Sequence, residues 1–362
     1  MTKIALILAG GTGAKLWPKS IEKQPKQFVH FIGEGTMLVN TYLRLMPVFP
    51  PENIFVVTPQ QFKHLVSEQL PELPEENIIL EPFPRNTAPC IALALTQLSK
   101  KFDKNTIVAT FPSDHVIYNI REFHHSLDVA ISVANERNGI VTLGIKPTRP
   151  ETSYGYIQVK QNSQDLGFLF DNGVRYTTTF AEKPDLETAK RFLETGDFLW
   201  NSGIFVFKYD EFWREFDLYL PDQSKIFKVL KKFVGKESYP IALEDSYKKI
   251  DSVSIDYAIL EKANNVFVVE SSFNWSDLSN WDEVYRLSMK DGRDNFIEGD
   301  VITINVTNSY IYSEEKLVAV SDLDNIIVVH TEDALLICRR GKSENVQEII
   351  DYMKRKQIIK FI

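Results

Sequence analysis

The segment LAGGTGAKLWP, Leu8 to Pro18, follows directly on the apolar run Ile4 to Leu8. Gly10, Gly11 and Gly13 put no Cβ between backbone and ligand, so successive amide N–H groups at the end of a buried strand can close on the phosphates of a nucleotide. Tight strand ends need glycine too, so the cluster alone is ambiguous. Its basic neighbours Lys15, Lys19, Lys23 and Lys26 favour phosphate, because a leaving phosphate needs cations as well as amides. Pro18 and Pro25 stiffen the stretch before a helical pattern begins near Thr36.

The two commonest nucleotide motifs do not fit. A P-loop requires GxxxxGK followed by Ser or Thr, and this run has none. A dinucleotide fingerprint wants an acidic residue about 20 positions beyond its last glycine, at the end of a second strand. Glu34 falls near that distance, but Gly33-Glu34-Gly35 reads as a turn. The Trp17-Pro18 pair also disfavours a helix where that motif needs one to start.

Working outward, strand-like runs at Lys3–Leu8, Asn53–Thr58, Asn77–Leu80 and Thr106–Phe111 alternate with helical patterns near Met37–Leu45, Gln60–Leu70 and Ala88–Phe102. A helical pattern over Phe123–Asn135 and a strand at Ile140–Gly144 continue the alternation. It predicts an α/β fold with a mostly parallel sheet covered on both faces, whose ligands sit beyond the carboxyl ends of the strands. The glycine turn, Glu81 and Asp114 each follow such a strand. From Tyr154 to about Ile204 the pattern is β-rich, with Gln161–Asn172 as a hairpin or exposed loop. Past Asn295, short apolar runs at Val301–Ile304, Tyr310–Tyr312, Leu317–Val320, Ile326–Val329 and Leu335–Cys338 recur at short intervals, as in stacked β-helix coils or an antiparallel meander. Glu344–Lys354 reads as a capping amphipathic helix.

A chain of 362 residues with 44% hydrophobic content can bury one large core and a second, smaller one. The net charge of −8 is spread along it, which argues against nucleic acid as a partner. Cys90 and Cys338 stand far apart, with no spacing for a disulfide framework or a zinc site. Cys90, in an apolar helical run, reads as a small core residue. No apolar stretch approaches a membrane span and no signal-peptide pattern opens the chain, so a cytoplasmic protein without membrane partners is expected.

Further blocks lie along the chain: EPFPRNTAP (Glu81–Pro89), FPSDH (Phe111–His115), YGYIQ (Tyr154–Gln158), FAEKP (Phe180–Pro184), WNSGIFVF (Trp200–Phe207), SIDYAILEK (Ser254–Lys262) and WSDLSNW (Trp275–Trp281). With LAGGTGAKLWP and Pro25-Lys26-Gln27-Phe28, they resemble the sugar-nucleotide pyrophosphorylases, specifically the mannose-1-phosphate guanylyltransferases, in that family's order. One departure is Ala14-Lys15, where the family usually reads Thr-Arg. The resemblance implies a Rossmann-like, glycosyltransferase-A-like nucleotidyltransferase domain over 1–290 and a short left-handed β-helix domain over 291–362.

The resemblance also implies the substrates GTP and mannose 1-phosphate, the product GDP-mannose, Mg2+ as cofactor, and a homodimer. Leu8, Ala9, Gly10, Gly11, Thr12, Gly13, Pro112 and Ser113 would then surround the nucleotide, with Lys15 and Lys26 on its charge. Asp114 and Asp277 would hold the metal. By itself, each aspartate also reads as a cap for the segment that follows it. His115 reads as a structural neighbour, because a sugar 1-phosphate is already anionic and needs no general base.

Glu81 is the candidate base reader, since a carboxylate accepts both donors on guanine's pairing edge. Arg85, Asn86 and Thr87 are candidates to contact base or ribose and also to form a turn that caps a helix, two roles that are compatible. On the sugar side the resemblance implies Gly155, Glu182, Asn201 and Asp256, with Lys183 on the phosphate. Trp200, Trp275 and Trp281 read as pocket walls. Two rival functions are a catalytically idle regulatory homologue, which only Ala14-Lys15 supports, and a glycosyltransferase, which would carry a DxD-type pair where Ser113-Asp114-His115 stands.

Overall fold

The computed structural model describes residues 1–11 and 13–362. Strands run in chain order as β1 (Lys3–Leu8), β2 (Ile54–Pro59), β3 (Ile78–Glu81), β4 (Ile107–Pro112), β5 (Val116–Ile117), β6 (Ile140–Ile145), β7 (Gly155–Val159), β8 (Val174–Glu182) and β9 (Phe198–Lys208). They continue as β10 (Val266–Ser271), β11 (Trp275–Ser276), β12 (Phe296–Glu298), β13 (Val301–Ile304), β14 (Tyr310–Ser313), β15 (Val318–Ser321), β16 (Ile326–His330) and β17 (Leu335–Arg339). Contacts divide the chain into two compact units that are not contiguous in sequence. One comprises Met1–Gly10, Thr41–Ser113 and Ile117–Trp275, the other Gly11–Asn40, Asp114–Val116 and Ser276–Ile362. This division follows a different line from a boundary at residue 290, because the segment after Gly10 packs with the end of the chain.

The first unit holds a nine-stranded sheet in the order β3-β2-β1-β4-β9-β6-β10-β8-β7. β1 pairs in parallel with β2 and β4, and β6 with β10, whereas β9 runs against both β4 and β6. The long strand β9 also pairs antiparallel with β7 through Phe198–Trp200, so the far edge of the sheet folds back on its middle. The parallel strands are continuous apolar runs, KIALIL in β1 and IVATFP in β4, as strands buried on both faces must be. Ile4, Leu6 and Val108 enter one core with the helices Thr87–Leu98, Tyr209–Tyr219 and Pro221–Lys231. Phe111 at the end of β4 meets Phe49 and Phe123 edge-on, and Phe123 begins the buried stripe of the helix Ile120–Glu136, capped by Asn119 on Glu122 N–H.

The stretch expected as a hairpin or exposed loop, 161–172, does connect two antiparallel strands, β7 and β8. It carries a short helix, Phe168–Asp171, which buries Leu169.

In the second unit β12, β14 and β16 stack in parallel register, as do β13 and β15. That is a coil stack and not a meander, closed by one antiparallel strand, β17 on β16. The expected final helix is present as Val346–Arg355. Its Val346, Ile350 and Met353 share a core with Leu16, Trp17, Val29, Phe31, Trp281, Tyr310 and Ile327. Among the described residues, no helix is long and apolar enough to cross a membrane.

Candidate functional site

In the second unit, Lys26 opens a single 3-10 turn, Lys26–Phe28, after Pro25. Its Nζ lies 2.7 Å from Asp114 Oδ2 and donates to the Asp277 backbone carbonyl oxygen at 3.0 Å. Burial opposes the ammonium charge, but Asp114 and Asp277 outweigh it and raise the Lys26 pKa. Burial likewise disfavours the Asp114 carboxylate, yet Lys26 and then His115 hold its pKa below the usual carboxylate value. His115 Nε2 stands 3.9 Å from Asp114 Oδ1, a flanking position that fits the structural role read from sequence.

Neither aspartate caps the helix that follows it. The cap of Ile120–Glu136 is Asn119, and the cap of Trp281–Leu287 is Asn280. Gly13 is required twice over: its φ is +63°, and a Cβ there would stand 2.7 Å from Lys26 Cβ. Gly11, by contrast, has open space around it, and its carbonyl oxygen accepts from Gln27 Nε2 at 2.9 Å. Lys15 lies half-buried in the turn Ala14–Leu16 and, among the described residues, is not part of the Lys26 network. Thr12 lies outside the described residues.

In the first unit, the start of the glycine segment is tied into the sheet. Ala9 N–H donates to Val57 O at 2.8 Å, Ala9 O accepts from Thr58 Oγ1 at 3.0 Å, and Leu8 O accepts from Ser113 N–H at 3.1 Å. The Ala9 amide is therefore committed to the sheet. Pro112 ends β4 opposite Leu8. Glu81 ends β3 and is only 2% exposed. Its Oε1 accepts from the Tyr247 hydroxyl at 3.0 Å, and a Cβ on Gly10 would lie 3.7 Å from its Oε2. Burial pushes the Glu81 carboxyl up to about 7 against hydrogen bonds from Tyr247 and Cys90. Cys90 is buried as expected, but it also donates to this carboxylate, a polar role that an apolar helical pattern does not reveal.

The turn roles open to Arg85, Asn86 and Thr87 are all occupied. Asn86, at φ +67°, caps the helix Thr87–Leu98 by accepting from Thr87 N–H at 2.8 Å. Arg85 Nε donates to Tyr247 O at 3.2 Å, and Thr87 Oγ1 accepts from Ile255 N–H at 2.9 Å.

The sugar-side residues also gather in the first unit. Gly155 pairs with Glu182 across β7 and β8, and a Cβ at 155 would stand 2.7 Å from Glu182 Oε2. Asn201 Nδ2 donates to Asp256 Oδ1 at 2.6 Å, while Asn201 Oδ1 accepts from Thr142 Oγ1 and from Gly203 N–H. Asp256 opens a π-helical turn, Asp256–Leu260, and burial first, with Glu182 nearby, raises its carboxyl to about 6. Lys183 is exposed and pairs with Glu182 Oε1 at 3.2 Å. Trp200 and Trp275 both meet Tyr154 edge-on, consistent with packing roles. Trp281 is no pocket wall: it is fully buried in the core of the second unit, donating Nε1–H to Trp17 O. Sequence reasoning also missed Tyr247 and Thr142, whose hydroxyls act only across the fold.

A nucleotidyl transferase family model matches residues 4–294, and a model for the MannoseP isomerase/GMP-like beta-helix domain matches 299–353. A mannose-1-phosphate guanylyltransferase of Escherichia coli is 36% identical over 354 residues, 97% of this chain and 75% of that protein. The chain belongs to the mannose-1-phosphate guanylyltransferase family. A family member from Klebsiella pneumoniae is 37% identical over 98% of this chain and 74% of its own length. A solved structure from Thermus thermophilus, described as a mannose-1-phosphate geranyltransferase, covers 98% of this chain and 100% of its own, with TM-score 0.85 and 27% identity. Family membership decides against the glycosyltransferase alternative. Among the described residues, no group of three or more His, Cys, Asp or Glu gathers in a metal-holding arrangement.

Proposed function

We propose that this protein joins GTP and α-D-mannose 1-phosphate into GDP-mannose, releasing pyrophosphate. The observation that carries the proposal is the convergence of Lys26, Asp114 and Asp277, from three distant blocks, on one half-buried cluster. An oxygen of the sugar phosphate attacks the α-phosphorus of GTP in line, a new O–P bond forms, and the bond to the β-phosphate oxygen breaks. No base is required, because the nucleophile is already an anion. Lys26 keeps its proton through the reaction, since Asp114 and Asp277 raise its pKa, and it presents fixed positive charge to the phosphates. Lys15 and the amides of Gly10, Gly11 and Gly13 supply the rest, with Leu8, Ala9, Pro112 and Ser113 shaping the strand ends.

Asp114 and Asp277 fit magnesium: both are hard oxygen donors, and together they already stabilise a single cation, the Lys26 ammonium. When bound, magnesium would neutralise and align phosphate oxygens. Glu81 reads the guanine, with Arg85, Asn86 and Thr87 bordering base and ribose. Gly155, Glu182, Asn201 and Asp256 hold the sugar hydroxyls, and Lys183 meets the sugar phosphate. We place the enzyme in the cytoplasm as a homodimer; exposed Ile302 and Ile304 on β13 provide an apolar face that supports pairing. Mixing GTP and mannose 1-phosphate with Mg2+ is expected to release pyrophosphate faster than UTP or glucose 1-phosphate does. No release with any pair would overturn the assignment.

A further inference from the structure

Glu81 is the buried carboxylate on which three parts of the first unit converge. The helix Thr87–Leu98 contributes Cys90, the helix Tyr239–Tyr247 contributes its last residue, and Gly10 follows the end of β1. Tyr247 is itself fully buried, and its hydroxyl donates to Oε1 at 3.0 Å. Oε2 faces the Gly10 backbone, where an added Cβ would stand at ordinary contact distance, 3.7 Å. One oxygen is thus pinned from the core and the other turned toward the glycine segment. A carboxylate on a freely rotating stem would present no such fixed pattern to a base.

We propose that Tyr247 is a positioning residue for base selection: its hydroxyl pins Glu81 as an oriented acceptor for the N1–H and 2-amino donors of guanine. This rests on the base-reading role of Glu81 proposed above. The phenol and the Cys90 thiol both offer the carboxylate protons, so they favour the ionised form over the acid. Burial raises the Tyr247 and Cys90 pKa values well above their ordinary ones, so both remain donors. Tyr239 lies behind Tyr247, and Arg85 directs its Nε to the Tyr247 carbonyl oxygen. Glu81 is then the group of this cluster that titrates near neutrality, at about 7. Once protonated it carries a donor that opposes guanine N1–H but matches N1 of adenine, whose 6-amino group the remaining oxygen can accept.

Tyr247→Phe tests the proposal, because it keeps the ring and its edge-on contact with Phe83 at 5.9 Å and deletes only the hydroxyl. The acidic limb of kcat/KM for GTP reports the free enzyme. Its midpoint is expected to rise by about one pH unit, which takes Glu81 at pH 7 from half ionised to roughly a tenth ionised. GTP efficiency at pH 7 should fall about fivefold, carried in KM for GTP, with KM for mannose 1-phosphate unchanged. The preference for GTP over ATP should narrow at pH 7 and return near pH 9, where both proteins are ionised. Cys90→Ala should move the midpoint the same way by less.

A loss that is equal at pH 7 and pH 9, or an unmoved midpoint in both variants, overturns the proposal. Glu81→Gln separates the two levels of the argument. If it leaves the GTP-to-ATP ratio unchanged, the base-reading role fails and the positioning role with it. If it collapses the ratio while Tyr247→Phe does nothing, the positioning role alone is refuted.

Discussion

Replacing Lys26 with Met keeps the apolar stem and removes the charge from the ion cluster. The Lys26 and Asp114 side chains are 12% and 24% exposed, so the variant leaves a carboxylate largely buried without its cation. Deleting one partner of a buried pair costs about 3–5 kcal/mol, and the residual exposure of Asp114 places the expected loss near the lower end, about 3 kcal/mol. The companion variant Lys26→Met/Asp114→Asn should recover about 1–2 kcal/mol of it, because the uncompensated charge is gone. The pH dependence has a definite sign. In the wild type the Asp114 pKa is depressed, so its contribution is complete above the ordinary aspartate value of about 3.9 and is lost as pH falls through the lower folded value.

In Lys26→Met burial is left as the largest influence and raises the Asp114 pKa against His115, so protonation of Asp114 is favoured in the variant over wild type as pH falls from 7.5 to 5. Its deficit relative to wild type should therefore shrink over that interval. Urea unfolding without divalent ions, followed by tryptophan fluorescence, to which Trp17 and Trp281 in the core of the second unit contribute, measures this. An equal deficit at both pH values, or a double variant no more stable than Lys26→Met, would refute the account of the cluster.

Lys15→Ala should lower the single-turnover rate roughly a hundredfold at saturating substrates, the scale of one preorganised charge contact, while Lys15→Arg retains activity. An Ala variant as fast as wild type would assign that cation elsewhere. Chelation, and Asp277→Asn at fixed magnesium, should each depress turnover far more than the unfolding midpoint; full activity in chelator would remove the metal. Because Asp256 titrates near 6, KM for mannose 1-phosphate should rise as pH drops below about 6, and Asp256→Asn should abolish that dependence. A KM flat from pH 5 to 8 in wild type would release Asp256 from sugar binding.

The parallel half of the sheet could be read from the chain because β1 and β4 are buried on both faces, which demands unbroken apolar runs that few other environments tolerate. The helix Met37–Leu45 lies where the chain shows a helical pattern, since its apolar spacing is local. The coil stack was not separable from a meander, because both repeat short apolar runs and only the parallel register of β12, β14 and β16 distinguishes them.

Residue type and spacing alone point to phosphate chemistry near Gly10–Gly13 and Lys26, since glycine and lysine there would answer a requirement of backbone approach and charge. The tertiary structure decided what each polar group is paired with. In sequence Asp114 and Asp277 read as possible caps, whereas Asn119 and Asn280 cap the helices that follow, and Cys90 reads as a small core residue, whereas Glu81 lies beside it. Trp281 passed for a pocket wall because an aromatic pattern does not say which core it enters. Tyr247, 166 positions from Glu81, carries no local sign of its role. Periodicity reports which face of an element is apolar, whereas a buried hydrogen bond depends on two residues that only the folded chain brings within 3 Å of each other.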